Sequence, residues 1–456
     1  MTPLAGQPVR TIAETRTAEA DAVACGRTVE SLMAQAGAGI ATWTARLGGG
    51  APVLIVCGPG NNGDGYVAAR VLREGGLPVR VVAHGEPVGA AAIMAARDWA
   101  SPVEALADAA PAPVVVDALY GTGARALDRV TAGRLAEVLR RARLSIAVDV
   151  PSGADADARR SGGWAHPVDV TLALGTLKPV HFLQPGAEAC GTVRLVELGL
   201  AGHGAAAVID RPALVPPGPS SHKYSRGLVV VVGGAMPGAA RLAATAAMRV
   251  GAGYVTMLDG DGAGLAAIVQ RRFDAAAFDD PRIGAVVIGP GLGRDDNARA
   301  RLAAALATDR PLVIDGDALR LIDLDRLAAR AAPAILTPHA GEFDHLFGAG
   351  EGSKLDRTRA AAVRARAIVV HKGPDTVVAA PDGRAALAEP GSPWLSTAGT
   401  GDVLAGTAGA MLAALPDPFA AAQAAVWLHA AAARRLGAAF VADDLAAALG
   451  AVRATL

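Results

Sequence analysis

The stretch STAGTGDVLAG at residues 396–406 sets one acid, Asp402, directly behind two glycines and ahead of a run of small apolar residues. Glycine amides at a helix start, reinforced by the helix dipole, bind phosphate. A carboxylate is a poor passive neighbour for phosphate there. It becomes useful if it takes a proton from a substrate hydroxyl next to a transferable phosphoryl group. Alone, the pattern equally fits an Asp that caps the helix VLAGTAGAMLAAL. Three more polar strand ends accompany it: GPGLG with Gly291 and Gly293, LTPHAGEF with His339 and Glu342, and HKGPDT. The last is a Lys-Gly turn of Lys372, Gly373, Pro374, Asp375 and Thr376, able to face a nucleotide.

The first half of the chain carries a second constellation. CGPGNNGDGYVAAR contains G-x-G-x-x-G at Gly58, Gly60 and Gly63, after a strand-like run and before a helical one, the pattern of a dinucleotide pyrophosphate site. Asp64 argues against that site, because two like charges about 4 Å apart at an effective dielectric of ~20 repel by roughly 4 kcal/mol. Glu86, near the usual offset of a ribose-binding acid, keeps the dinucleotide alternative open. VVVDALYGTG ends a strand with Asp117, and IAVDVPSG ends another with Asp149 and Ser152. Residues beyond the carboxyl ends of neighbouring strands in an open α/β sheet converge on one crevice. Asn62, Asp117 and Ser152 would offer hard oxygen ligands there, suited to a weakly held alkali or alkaline-earth cation and not to zinc. A helix cap is the alternative role for Asp117.

These residues need elements to hold them. TAEADAVACG and TVESLMAQAGAGIATWTARLG have helical apolar spacing. PVLIVCG, PVRVVAHG, PVVVDALYGTG, LSIAVDVPSG, VDVTLALG and TVRLVELG are short β-branched runs, the first four alternating with helical segments, which predicts a doubly wound parallel sheet. RPALVPPGPSSHKYSRG, with Pro212, Pro216, Pro217 and Pro219, predicts a linker. The alternation restarts with GLVVVVGG, GAVVIGPGLG, PLVIDGDAL, PAILTPHAGE and AIVVHKGPDTVVAAPDG as strands, giving two α/β units in tandem. The expected division is residues 1–211, a linker at 212–222 and residues 223–456.

With 43 basic and 43 acidic residues among 456, no overall field favours nucleic acid or an anionic membrane, so a charged ligand must be recognised locally. No stretch approaches the ~18 apolar residues of a membrane span. Three distant cysteines, Cys25, Cys57 and Cys190, fit neither a disulfide framework nor a metal pair. A cytoplasmic home is expected, and a homo-oligomer.

Residues 10–210 resemble the NAD(P)H-hydrate epimerase domain through GPGNNGDGYVAAR, VVDALYGTGARAL and VDVPSG, with an asparagine loop one glycine shorter than the family's usual Asn-Asn-Gly-Gly-Asp-Gly. The resemblance implies a Rossmann-like domain whose hydrated NADH or NADPH meets Asn61, Asn62, Gly63, Asp64, Gly65, Gly121, Thr122, Gly123, Ala124, Arg125, Ala126, Leu127 and Asp149. It further implies potassium at Asn62, Asp117 and Ser152. The implied reaction inverts the hydroxylated ring carbon, for which Asp149 is the expected proton donor and acceptor.

Roughly residues 220–450 resemble the ribokinase-like fold, in particular its NAD(P)H-hydrate dehydratase branch, through KYSRGLVVVVGGAMPGAARLAATAAMRVGAGYVT, GPGLG, LTPHAGEF, HKGPDT and GTGDVLAG. That resemblance implies an α/β/α domain with the hydrate at Ala239, Gly291, Gly293, His339 and Asp402. The adenine nucleotide, ADP with Mg2+, is implied at Lys372, Gly373, Pro374, Asp375, Thr376 and Gly401. Asp402 is the expected catalytic acid of this half. Two rivals remain: a vitamin or sugar-alcohol kinase with an accessory first domain, and a first domain that only senses or binds a ligand.

Overall fold

The computed structural model describes residues 2–60, 63–122, 127–159, 166–202, 204 and 206–456. The expected site residues Asn61, Asn62, Gly123, Ala124, Arg125 and Ala126 lie outside them. The chain separates into two compact units, Met1–Ala207 and Val208–Leu456.

The first unit is built on a seven-stranded sheet in the spatial order Val103–Ala105, Val79–Ala83, Val53–Cys57, Val114–Ala118, Leu144–Val148, Val170–Leu174, Thr192–Val196. Every neighbouring pair is parallel. The alternation of side chains along a strand explains why these sequences are apolar throughout. Val53, Ile55, Val114, Val116, Ile146 and Val148 face the helices Val29–Gly48, Asp64–Glu74 and Ala90–Trp99. The intervening Leu54, Val56, Val115 and Ala147 pack with Leu135, Val138 and Leu139 of the helix Arg129–Arg140. The sheet order reverses between Val53–Cys57 and Val114–Ala118, so the crevice of a doubly wound sheet opens at the carboxyl ends of these two strands. The edge strand Val103–Ala105 has no apolar run in VEA and is invisible to periodicity.

The second unit repeats the logic. Its parallel strands run Ile368–His371, Ala334–Leu336, Leu312–Ile314, Ile283–Ile288, Leu228–Val232, Tyr254–Leu258, Val269–Arg271. Val229, Val231, Ala285, Val287, Val313 and Ile335 share a core with the helices Pro237–Val250, Thr400–Ala414, Pro418–Leu436 and Ala442–Arg453. The alternate residues Val230, Val232, Val286, Ile288, Leu312 and Ile314 are buried on the opposite face. Order reverses between Leu228–Val232 and Ile283–Ile288, placing this unit's crevice beside GPGLG. Within the strand run AIVVHKGPDTVVAAPDG lie two antiparallel strands, Ile368–His371 and Val377–Ala379, with the expected turn at residues 372–376 between them. Tyr254–Leu258, Val269–Arg271 and Ala385–Leu387 are strands that the apolar pattern did not single out. In the proline-rich segment, Leu214 is buried in the second unit's core, as is Ile209 just before it.

Candidate active sites

In the first unit the reversal of strand order gathers the acids named from sequence. Asp117, 1% exposed, closes its strand and accepts from Ser152 Oγ at 2.6 Å, Ser152 N at 2.9 Å and Leu119 N at 3.2 Å. Burial raises its pKa, and these donors oppose the rise. Ser152 Oγ also accepts from Tyr120 N at 2.9 Å, tying two strand ends together. A carboxylate has about four lone-pair sites, so Asp117 keeps one for a further partner. Among the described residues no group of three His, Cys, Asp or Glu side chains could hold a metal. The oxygens of Asp117 and Ser152 are hard donors of the kind that suit alkali and alkaline-earth cations.

Asp64, at the first position of its helix, is buried, and burial with the charges of Asp149 and Glu19 pushes it up to about 7. Gly63 and Gly65 are packing residues: a Cβ at Gly65 would come 2.9 Å from both Ala118 Cβ and Cys57 Sγ. Gly121 and Thr122 are half-buried, and Leu127 joins the core.

Asp149 adopts the left-handed conformation, φ 66°. Its carboxylate is ion-paired with Lys178 and accepts from Leu174 N at 3.1 Å. Lys178 N donates to His181 Nδ1 at 3.1 Å, so the neutral ring keeps its proton on Nε2 and donates it to Asp149 O at 2.8 Å. Burial and the Lys178 charge push His181 down to about 4, which keeps the ring neutral. Sequence reading missed Lys178, and found no role for His181, because GTLKPVHF matches no motif. The signal available was its position directly after a strand.

In the second unit the helix Thr400–Ala414 begins at Gly399, which has φ 91°. Asp402 stands half-buried in its first turn. Burial and the neighbouring Asp315 push its carboxyl up to about 6, against the pull of Lys372. Lys372 Nζ donates to Asp315 Oδ1 at 2.7 Å, and Thr337 Oγ1 donates to the same oxygen at 2.7 Å. A Cβ on Gly401 would lie 3.3 Å from Lys372 Nζ and 4.0 Å from Asp315 Oδ2, so only a glycine leaves this cradle open. Asp315 is 2% exposed and was read from sequence only as the end of a strand. His429 Nε2 donates to Thr400 O at 2.9 Å and fixes the same first turn.

GPGLG closes the other side. Gly291 has φ 60°, and a Cβ there would come 3.0 Å from Ala239 Cβ, so the two predicted contacts adjoin. Gly293 N donates to Asp317 Oδ2 at 3.0 Å. His339 caps the helix Ala340–Phe347: Nδ1 accepts from Gly341 N at 3.0 Å, while Glu342 Oε2 accepts from His339 N at 2.9 Å. Within the 372–376 turn, Gly373 and Pro374 are exposed, and Thr376 Oγ1 donates to Gly373 O at 3.0 Å. Asp375 turns inward, paired with Lys354 at 2.6 Å.

Comparison with known proteins places both crevices in context. The family profile described as NAD(P)H-hydrate dehydratase matches residues 229–452, and that described as YjeF-related protein N-terminus matches residues 29–180. A bifunctional NAD(P)H-hydrate repair enzyme of Mycobacterium tuberculosis is 37% identical over 420 residues, covering 86% of each chain. That of Escherichia coli K12 is 31% identical over 420 residues, 85% of this chain and 81% of the other. A Bacillus subtilis ADP/ATP-dependent NAD(P)H-hydrate dehydratase co-crystallized with ATP/Mg2+ is 29% identical, with a TM-score of 0.46, covering 53% of this chain and 94% of that one. With two glycine-edged crevices, each holding a buried or half-buried acid beside a lysine, and these relatives along most of its length, the chain belongs to the bifunctional NAD(P)H-hydrate repair enzyme family.

Proposed function

We propose that the protein repairs hydrated NADH and NADPH in two reactions. The first unit interconverts the R and S hydrates, and the second dehydrates the S hydrate at the expense of ADP. The observation that carries this reading is Asp402, a carboxyl with its pKa near 6 in the first turn of a glycine-initiated helix, beside Lys372 and an open cradle at Gly401.

The dehydration needs a base for one hydroxyl and a site for the group that it attacks. Asp402 takes the ring hydroxyl's proton as the oxygen attacks the terminal phosphorus of ADP, whose bond to the bridging oxygen breaks to release AMP. The hydroxyl oxygen then leaves within inorganic phosphate, the neighbouring ring carbon gives up a proton, and the carbon–carbon double bond returns. Gly401 and residues 372–376 are the proposed nucleotide contacts, with Lys372 the cation beside the phosphates. Ala239, Gly291, Gly293 and His339 are the proposed hydrate contacts. Mg2+ accompanying the nucleotide supplies neutralisation of charge developing on the phosphoryl oxygens.

In the first unit Asp149 is the proposed proton donor and acceptor for loss and return of the hydroxyl. Among the described residues, the proposed hydrate contacts are Gly63, Asp64, Gly65, Gly121, Thr122 and Leu127, with Gly63 and Gly65 acting through their backbone. Asp117 and Ser152, with Asn62, would hold a potassium ion, which supplies a fixed positive charge beside the anionic substrate.

Incubation of the full chain with mixed hydrates, Mg2+ and ADP tests the reading through recovery of the NADH absorbance. Both epimers are expected to disappear. Nucleotide consumption without recovered absorbance would instead identify a kinase.

A further inference from the structure

Beside Leu144–Val148 in the sheet runs Val170–Leu174, and residues 175–182 follow it to meet Asp149. Lys178 of this segment is 1% exposed. Its ammonium group donates to Asp149 Oδ1, to Leu174 O at 3.1 Å and to Thr176 O at 3.0 Å. An ammonium has three donors, so Lys178 is saturated and has none left for a ligand. Burying such a group costs several kcal/mol before its partners are counted. A position that served packing alone would hold an apolar side chain with no such penalty.

What the lysine achieves is visible on the carboxylate. Oδ1 of Asp149 accepts from both Lys178 Nζ and Leu174 N, whereas Oδ2 accepts no hydrogen bond among the described residues. The backbone of Asp149 is fixed as well: its N–H donates to Leu172 O at 2.8 Å, and its carbonyl accepts from His181. Thr176, which supplies one carbonyl to Lys178, is itself bonded through Oγ1 to Thr15 Oγ1 at 3.1 Å. The segment is thus anchored to the helix Ile12–Ala24.

We propose that Lys178 is a positioning residue for epimerisation: by engaging Oδ1 it turns that oxygen into the protein and leaves Oδ2 as the single oxygen that exchanges a proton with the hydrate. The inference rests on the reading of Asp149 as the proton-transfer group. His181 assists by holding the left-handed backbone of Asp149 through its carbonyl. The groups facing Asp149 are Asp64 from the helix Asp64–Glu74, Glu19 from Ile12–Ala24, Cys190 from Gly186–Cys190, and Lys178 and His181 from the segment after Val170–Leu174. Burial and the Asp149 charge push the Cys190 thiol up to about 12, so it stays neutral. Lys178 is therefore the positive charge that offsets the two neighbouring acids.

Lys178→Met and Lys178→Arg in the full chain test this, with epimer exchange followed from pH 5 to 9 and cooperative unfolding of the first unit, followed by hydrogen exchange at its strands, as the control for folding. Lys178→Met is expected to lower epimerase kcat about 100-fold with KM changed less than about 3-fold, and to move the acid limb of the profile upward by about one pH unit. Lys178→Arg, which keeps the charge, should restore part of the rate and return the limb. Wild-type kcat and an unmoved limb in Lys178→Met would overturn the inference while leaving the proposed epimerase intact. Undiminished exchange in Asp149→Asn would overturn both. Should Lys178→Met fail to fold, Lys178→Gln, which removes the charge from a side chain of similar length, decides by the same exchange assay, and wild-type kcat in it refutes the positioning role.

Discussion

Asp149 and Asp402 stand at the crevices of two sheets whose strand order reverses in the same way, yet their lysines are used differently. Lys178 bonds Asp149 itself. Lys372 bonds Asp315, a neighbour of Asp402, so the acid proposed to act is left with a raised pKa. A buried lysine in contact stabilises the charged form of an acid, while one diverted to a second carboxylate leaves the first to share protons with solvent near neutrality. The same pair of residue types can therefore orient an acid directly in one unit and leave an acid free to titrate in the other.

The sharpest break in this comparison comes from removing each acid separately. Asp402→Asn is expected to lower dehydration at least about 1000-fold and leave epimer exchange near wild type, and Asp149→Asn should do the reverse. Separate assays of exchange and of absorbance recovery measure both, and loss of both activities in either variant would mean that the units do not work independently.

Asp315→Asn sharpens the contrast by freeing Lys372. The second-largest cause of the raised Asp402 pKa disappears, so the acid limb of the dehydratase profile should fall below its wild-type position near pH 6. We expect kcat at pH 7 to drop about 10-fold, since Asp402 becomes a weaker base and Lys372 loses its anchor. A limb that moved upward would show that the Lys372 charge, and not Asp315, governs Asp402.

The smallest effect is on stability. Between about pH 4 and 6 the folded protein holds a proton on Asp402 that the unfolded chain has released, so this residue makes stability fall as pH rises through that window. Asp402→Asn should therefore be the more stable protein at pH 8, by roughly 1–2 kcal/mol, and equal to wild type near pH 3.5. Denaturant unfolding of the two proteins at both pH values checks the sign. Histidines act in the opposite direction: burial pushes His371 down to about 3 and His429 to about 4, so their contribution is lost as pH falls below about 6.5.

Much of this arrangement is legible in the sequence because parallel sheets announce themselves through uninterrupted β-branched runs, and because Asp117, Asp149 and Asp402 each lie at the end or start of an element. Lys178 and Asp315 were not legible as site residues. Each meets its partner across the ends of sheet strands distant in sequence: Lys178 is 29 residues from Asp149, and Lys372 is 57 from Asp315 with one strand between theirs. No local spacing records which strands will lie side by side. The turn at residues 372–376 was legible from its Gly-Pro-Asp sequence, whereas the antiparallel pairing of the two short apolar strands that flank it was not.

Gly406 lies one turn along the helix from Asp402, and a Cβ there would come 1.9 Å from the carbonyl oxygen of Ala243 in the helix Pro237–Val250. Ala239 occupies the start of that second helix, so two walls of one crevice are set by a contact between backbones deep beneath it. A single added methyl group at position 406 would wedge the walls apart, and the damage would reach the reacting hydroxyl from a site that no substrate ever touches. Chemical accuracy at the mouth of this crevice is thus inherited from the thinness of its foundation.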